Sequence, residues 1–236
     1  MAKTENFYEE KYKIDVDPWN YSKKAVEIIR HEFILQLALS LKSKYKRILD
    51  VGCAKGNVIT LFNGFADEIY GIDISETAVE KAKNSLSVLN SNSTSKFFFN
   101  KGNILTSSYK NDFFDLILLS DGINEWFGET ENRGKALQEA FRILAPNGFV
   151  VISDYQKPGK FDDYINVINN SPFKIVKIIY FYDRFCYQFY SWFKALENYT
   201  VVSKINKSKL LAKALMRISK LFGKKGAKHL FVIATK

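Results

Sequence analysis

Cysteine and histidine are scarce in this chain of 236 residues: Cys53, Cys186, His31 and His229 are the whole supply. That excludes a disulfide scaffold, and none of the four stands at metal-ligand spacing, so no metal site is expected. Long apolar runs are missing too, and about 18 consecutive apolar residues would be needed to span a bilayer. Met1 to Asp15 is polar and charged, without the apolar stretch of a secretory signal, and the expectation is a cytoplasmic protein. Internal repeats and Pro/Gly-rich linkers are absent, with only four prolines in all, which argues for a single domain over 1–236. Acid is missing from residues 203–236, which hold ten lysines or arginines. The net charge of +10 therefore resides entirely in the C-terminal stretch.

Apolar residues make up 47% of the sequence and aromatics 15%, enough to fill the core of a globular enzyme or binding domain. Asp17-Pro18-Trp19-Asn20 reads as a turn. From Ser22 to Leu41 the residues Val26, Ile29, Phe33, Leu37 and Leu41 recur near helical spacing. Strand-like and helix-like segments then alternate. Strands are expected at Arg47–Val51, Glu68–Ile72, Phe97–Lys101, Phe114–Leu119 and Phe149–Asp154. Helices are expected at Val58–Phe65, Ser75–Leu89 with Ser75 as its cap, and Gly134–Leu144. Such alternation predicts an α/β fold, a mostly parallel sheet with helices on both faces. A helix at Phe161–Asn169 and strands at Phe173–Tyr182 and His229–Thr235 complete the pattern. The interval Asp183–Lys228 is too long for a plain connection and is expected to carry helices of its own or form a lid.

Chemistry concentrates first at Asp50-Val51-Gly52-Cys53-Ala54-Lys55-Gly56, a strand end followed by a glycine-bearing turn where backbone can approach a ligand closely. Asp73, at the end of the next strand, is placed for a carboxylate to accept hydrogen bonds from both ribose hydroxyls. The two features together indicate a nucleoside-containing cofactor and by themselves fit NAD. The dinucleotide fingerprint, however, requires G-x-G-x-x-G, and this turn lacks the middle and last glycines.

Ile48–Gly56 and Gly71-Ile72-Asp73-Ile74-Ser75 resemble the first two motifs of class I S-adenosylmethionine-dependent methyltransferases. Gly102-Asn103-Ile104, Phe114-Asp115-Leu116-Ile117 and Leu144-Ala145-Pro146-Asn147-Gly148 continue the resemblance in order over about residues 45–155. It implies a Rossmann-like seven-stranded sheet of order 3-2-1-4-5-7-6 with the last strand antiparallel. S-adenosylmethionine is implied as cofactor and S-adenosylhomocysteine as product. The methionine part would lie near Asp50, Gly52, Cys53, Ala54 and Gly56, the ribose on Asp73, and adenine between Ile74 and Asn103-Ile104, with Ser120 and Asp121 near the sulfonium. Two positions depart from the family. Ala54 stands where a glycine or small residue is usual, and Asn103 stands where an acid often contacts adenine; its carbonyl oxygen can accept the same hydrogen bond. Asp17-Pro18-Trp19-Asn20-Tyr21 resembles the stretch ahead of the fold in nodulation-type methyltransferases, which implies a sugar or glycan acceptor.

On this reading the chain divides into an N-terminal cap and helix (1–44), the core sheet (45–182), an aromatic and basic lid insertion (183–228) and the last strand (229–236). Methyl transfer is an in-line displacement, so positioning carries most of the catalysis. Asp121, Glu125 and Tyr155, at or beyond strand ends, are candidates for a base or substrate-orienting group. Tyr8, Tyr12, Trp19 and Tyr21 either close over the cofactor as a flap or pack on the sheet edge. From Lys209 to Lys224, helical spacing puts Leu211, Ala214, Leu215, Ile218, Leu221 and Phe222 on one stripe and basic residues opposite. That stripe suits either a lid helix or peripheral contact with an anionic membrane or a phosphate-bearing substrate. The expected function is O- or N-methylation of a small molecule, such as a nucleotide-linked sugar. An RNA methyltransferase and a non-catalytic cofactor-binding module are the alternatives. The Asn/Asp-Pro-Pro-Tyr motif of exocyclic amine methylation and a separate RNA-binding domain are both missing, so a nucleic-acid partner is not expected.

Overall fold

The computed structural model describes residues 5–87, 93–123, 130–157, 159–196 and 199–236. Seven strands form one sheet: β1 (Tyr45–Val51), β2 (Ala66–Asp73), β3 (Lys96–Lys101), β4 (Phe114–Ser120), β5 (Leu144–Tyr155), β6 (Lys174–Phe181) and β7 (His229–Thr235). Their order is β3-β2-β1-β4-β5-β7-β6, as the motifs imply. β7 runs antiparallel to both its neighbours, and the other pairings are parallel.

Successive residues of the central strands supply two cores, which is why these strands read as near-continuous apolar runs. Leu116 and Leu118 of β4 face one side and Ile117 and Leu119 the other; Phe231 and Ile233 of β7 alternate with Leu230 and Val232 in the same way. The first face is covered by α2 (Ala25–Leu41), α3 (Glu76–Ser87), α6 (Arg184–Trp192) and α8 (Lys209–Lys220). The second is covered by α4 (Thr130–Ile143) and α5 (Phe161–Asn169). A short α7 (Thr200–Asn206) lies between α6 and α8 in the chain, so among the described residues the long interval before β7 carries three helices.

Three local expectations are corrected. The helix expected from Val58 to Phe65 is only a 3₁₀ turn at Ile59–Phe62, because β-branched Val58, Ile59 and Thr60 favour extension and Gly64, at φ +86°, turns the chain straight into β2. The first long helix begins at Ala25 rather than Ser22, since both Ser22 N–H and its hydroxyl are held by Asp17. An additional helix, α1 (Glu5–Ile14), lies in the polar N-terminal stretch. Ser75 does cap α3, its Oγ accepting from the Ala78 N–H at 3.1 Å.

Candidate active site

The C-terminal ends of β1, β2, β4 and β5 and the start of β7 open on one edge of the sheet, where a cavity of about 530 Å³ is found. Ligands of open α/β sheets collect at this edge. Gly52 and Ala54 of the first turn form one wall, Asp73 and Ile74 the next, Asn103 and Ile104 a third, and Ser120, Asp121 and Gly122 the floor. The floor approaches the turn closely: a Cβ on Gly122 would stand 2.8 Å from the Val51 carbonyl oxygen. Ala54 holds a left-handed backbone at φ +50°, and its N–H donates to Asp73 Oδ2 at 2.9 Å. Ser75 N–H donates to the other Asp73 oxygen at 2.9 Å. The carboxylate is thereby fixed at the cavity wall.

Asp50 and Cys53 line a small adjoining cleft beneath the turn instead of the main cavity, and Gly56 lines neither. The Cys53 sulfur packs in the core, where a Cβ on Gly71 would be 3.0 Å from it. Asp50 Oδ1 is buried without a hydrogen-bond partner. Burial, with the neighbouring charge of Asp73, pushes the Asp50 carboxyl up to about 7, and burial raises Asp73 to about 6. Asn103 Oδ1 accepts from Leu105 N–H, closing a 3₁₀ turn and leaving its second lone pair for another donor.

The N-terminal aromatics line the cavity. Tyr12 and Trp19 ring centroids lie 5.3 Å apart, Trp19 continues to Tyr21 at 6.2 Å, and Tyr8 completes this wall. Glu9 ties α1 down by accepting from Ser75 Oγ at 2.7 Å and from Thr77 Oγ1 at 2.5 Å. The Thr77 and Ser75 bonds hold the Glu9 carboxyl down at about 2.

At the other end, Arg30 organises a buried polar network that sequence reasoning missed. Its guanidinium donates to Glu27 at 2.9 Å, Asp121 at 2.8 Å, Ser120 Oγ at 3.2 Å and Ser153 Oγ at 3.1 Å. Burial opposes ionisation of Glu27, yet the Arg30 charge overrides it and keeps that carboxyl at about 2. Tyr187 from α6 donates to the other Glu27 oxygen. Asp121, a candidate base or substrate-orienting group, also accepts from Tyr155 N–H at 3.1 Å. Tyr155 lines the cavity, whereas Glu125 lies outside the described residues.

His229 stands at the start of β7 with Nδ1 2.5 Å from the buried Asp183 carboxylate and Nε2 3.9 Å from Asp121. Lys228 places its ammonium 3.8 Å from the Tyr187 ring centroid and 5.0 Å from that of Tyr155; Lys24 lies 5.7 Å from the Tyr187 ring. Burial, and the like charge of Lys24, lower the Lys228 pKa. The sequence signal available for this end was the Lys228-His229 pair opening a strand of otherwise apolar residues. Among the described residues no cluster of His, Cys, Asp or Glu is arranged to hold a metal ion, and no helix is long and apolar enough to cross a membrane.

With this geometry, comparison with known proteins is decisive for the family: residues 42–179 match the methyltransferase domain. The chain belongs to this family. Its fold is that of the class I S-adenosylmethionine-dependent methyltransferases. The N-methyltransferase NodS of Bradyrhizobium japonicum, solved with S-adenosylhomocysteine, superposes with a TM-score of 0.62 at 19% identity, covering 73% of this chain and 89% of that one. The [4+2]-cyclase SpnF superposes with a TM-score of 0.63 at 16% identity over 87% of this chain and 80% of the other. Phosphoethanolamine N-methyltransferase of Plasmodium falciparum is 26% identical over 136 residues, 56% of this chain and 48% of the relative. An uncharacterized Haemophilus influenzae protein is 26% identical over 129 residues, 54% of this chain and 49% of its own length. The chain spans about half the length of these curated relatives.

Proposed function

We propose that this protein transfers a methyl group from S-adenosylmethionine to an oxygen or nitrogen of a small, anionic acceptor, such as a nucleotide- or lipid-linked sugar. One observation carries the reading. A single cavity joins a cofactor-shaped end, built on Gly52, Ala54 and Asp73, to a cationic aromatic end built on Lys24, Tyr187 and Lys228.

The residues present fit the cofactor. The unpartnered, buried Asp50 oxygen and its raised pKa mark a site that a cation would complete, and the cofactor carries both an ammonium and a sulfonium. Asp73 would take the ribose through lone pairs not used by Ala54 and Ser75, and Ile74 and Ile104 would flank adenine. When bound, the cofactor supplies an activated methyl group.

The chain's own residues then position and deprotonate the acceptor. Arg30 locks Ser120 and Asp121 in place, so the floor is rigid before the acceptor arrives. His229 lines the cavity with Nδ1 against the Asp183 carboxylate, and with its proton on Nδ1 the other ring nitrogen, Nε2, would accept one. We assign His229 as the base and Asp183 as its positioning residue. Lys24 and Lys228 repel each other and sit over tyrosine rings, and an acceptor phosphate or carboxylate between them relieves that repulsion. The name of the Plasmodium relative, whose acceptor bears a phosphate, supports the same class.

Calorimetry with S-adenosylhomocysteine and with NAD tests the cofactor. Binding of the former, weakened about tenfold to a hundredfold by Asp73→Ala, is expected from loss of hydrogen bonds to a charged group; binding of NAD alone overturns the reading. Methyl transfer to sugar nucleotides, their neutral counterparts and RNA, followed by mass spectrometry, tests the acceptor. Preference for neutral sugars, or Lys24→Gln and Lys228→Gln variants with unchanged KM, removes the anionic subsite. The presence of a [4+2]-cyclase on the same fold makes cofactor binding without methyl transfer the second reading, and the same assay decides it.

A further inference from the structure

Helix α8 does not bury the stripe its sequence presents. The residues turned to the core are Ala212 and Ser219, with Leu215 and Met216 packed beside them. Cys186 and Phe185 of α6 fix that face, through Cys186 Sγ to the Ala212 carbonyl at 3.5 Å and Phe185 N–H to Ser219 Oγ at 3.0 Å. Leu210 and Leu221 are left 82% and 83% exposed, and Ile218 is 46% exposed. At 100° per residue, Leu210, Ala214, Ile218 and Leu221 fall within an arc of about 80° on the outer side. The expectation of one apolar stripe is thus corrected: the helix has two, and only one has a partner within the protein.

Beside the outer apolar arc runs a basic one of similar width, holding Lys209, Lys213, Arg217 and Lys220. Among the described residues the ion pairs of this region take up Lys209 with Glu32 and Lys224 with Asp162, and none takes up Lys213, Arg217 or Lys220. Trp192, 78% exposed, sits at the end of α6 adjoining the start of α8, where the Tyr190 hydroxyl donates to the Asn206 carbonyl. Phe222, more than half exposed, lies at the opposite end of α8.

We propose that this face is a docking surface for an anionic lipid bilayer, with α8 lying in the plane of the interface. Exposed leucines on a soluble surface cost free energy, and several together mark a contact site. The charge selects the partner. Lys213, Arg217 and Lys220 stand beside the apolar arc with no acid in residues 203–236 to offset them, and such a cationic face suits anionic headgroups. Adjacent apolar and lysine-rich arcs with a flanking tryptophan are the composition that inserts shallowly among anionic headgroups. The core-facing side of the same lid carries Tyr187, which lines the cavity, so the surface would hold the active site one helix layer from the membrane.

Co-sedimentation of the full chain with vesicles of phosphatidylcholine alone, or mixed with phosphatidylglycerol, tests this without cofactor or acceptor and so independently of methyl transfer. Binding to the mixed vesicles only, fading as salt rises, is expected. Replacing Lys213, Arg217 and Lys220 together by Gln should lower the partition coefficient about a hundredfold. L210S/L221S should lower it about tenfold or more while retaining the wild-type melting temperature and affinity for S-adenosylhomocysteine. Absence of sedimentation, or binding indifferent to lipid charge, overturns the proposal. So does a dimer in light scattering that L210S/L221S dissociates without any vesicle binding, which would make the face a contact between copies, or salt-sensitive retention by RNA but not by vesicles.

Discussion

Nη2 of Arg30 lies 2.8 Å from Oδ2 of Asp121, and this ion pair ties the first long helix to the end of the central strand β4. Arg30 is fully buried and also pairs with buried Glu27, so Arg30→Ala leaves two carboxylates without their cation. The expected cost is about 3–5 kcal/mol, read as a lowered urea midpoint at unchanged slope. Arg30→Lys should recover only part of it, since one ammonium cannot serve Glu27, Asp121 and Ser153 in the fork geometry of a guanidinium. A variant as stable as the parent would show that the network does not hold the helix.

His229→Gln should lower kcat by about 10²–10⁴-fold while the affinity for S-adenosylhomocysteine stays the same. Asp183→Asn should act in the same direction with a shifted pH–rate profile, because it changes which imidazole nitrogen carries the proton. Equal loss of kcat and of cofactor affinity in both variants would mean that the pair is structural.

Stability of the ligand-free protein should rise as pH falls from about 8.5 to about 6.5. Burial raises Asp154 to about 8, Asp50 to about 7 and Asp73 to about 6, so in this range the folded state binds protons that the unfolded chain does not. The stabilisation is fully present below the ordinary carboxylate range and is lost as pH climbs through the raised values. Buried His31, lowered to about 4 by desolvation, works the other way below its ordinary 6.5, because the unfolded chain then binds the extra proton. Three raised carboxyls outweigh one lowered histidine, so the rise continues below about pH 6.5. The melting-temperature maximum is expected near the ordinary carboxylate range, at about pH 4.5, below which Glu9 and Glu27, held down at about 2, reverse it. In Asp50→Asn the rise on the alkaline side should be shallower, and an identical profile would refute the assignment.

Ala54→Gly should stabilise the protein by about 0.5–1 kcal/mol. The left-handed backbone at φ +50° costs alanine about 1–2 kcal/mol, partly offset by the greater freedom of glycine in the unfolded chain. Denaturant unfolding measures it, and a loss of stability would show that the methyl group packs usefully in the turn.

Much of the fold was legible because each central strand is an unbroken apolar run and each turn carries its own signal. The apolar spacing of Val58–Phe65 suits a helix, but its β-branched Val58, Ile59 and Thr60 and the left-handed Gly64 limit it to one turn. α1 was illegible for a different reason. Its anchor is Glu9 on Ser75 and Thr77, a contact between segments far apart in sequence. One end of the cavity follows a compact motif, so Gly52, Ala54, Asp73 and Asn103, which line it, are legible in the sequence. Lys24, Arg30, Tyr187, Lys228 and His229 converge from the two ends of the chain, and no local pattern announces them. Cys53 sits within the motif, but its side chain turns into the core, and no sequence pattern distinguishes it from the residues that line the cavity.

The lining of the cavity also follows a boundary in the chain. The residues assigned to the cofactor, from Gly52 to Gly122, lie inside the matched 42–179 segment, whereas Tyr8, Trp19, Lys24, Tyr187, Lys228 and His229 lie outside it. On the proposed assignment, Lys24, Tyr187, Lys228 and His229 of the acceptor end lie outside the segment that carries the donor end. That assignment makes exchange of the terminal segments between relatives the expected route to a new acceptor, with the donor end left in place.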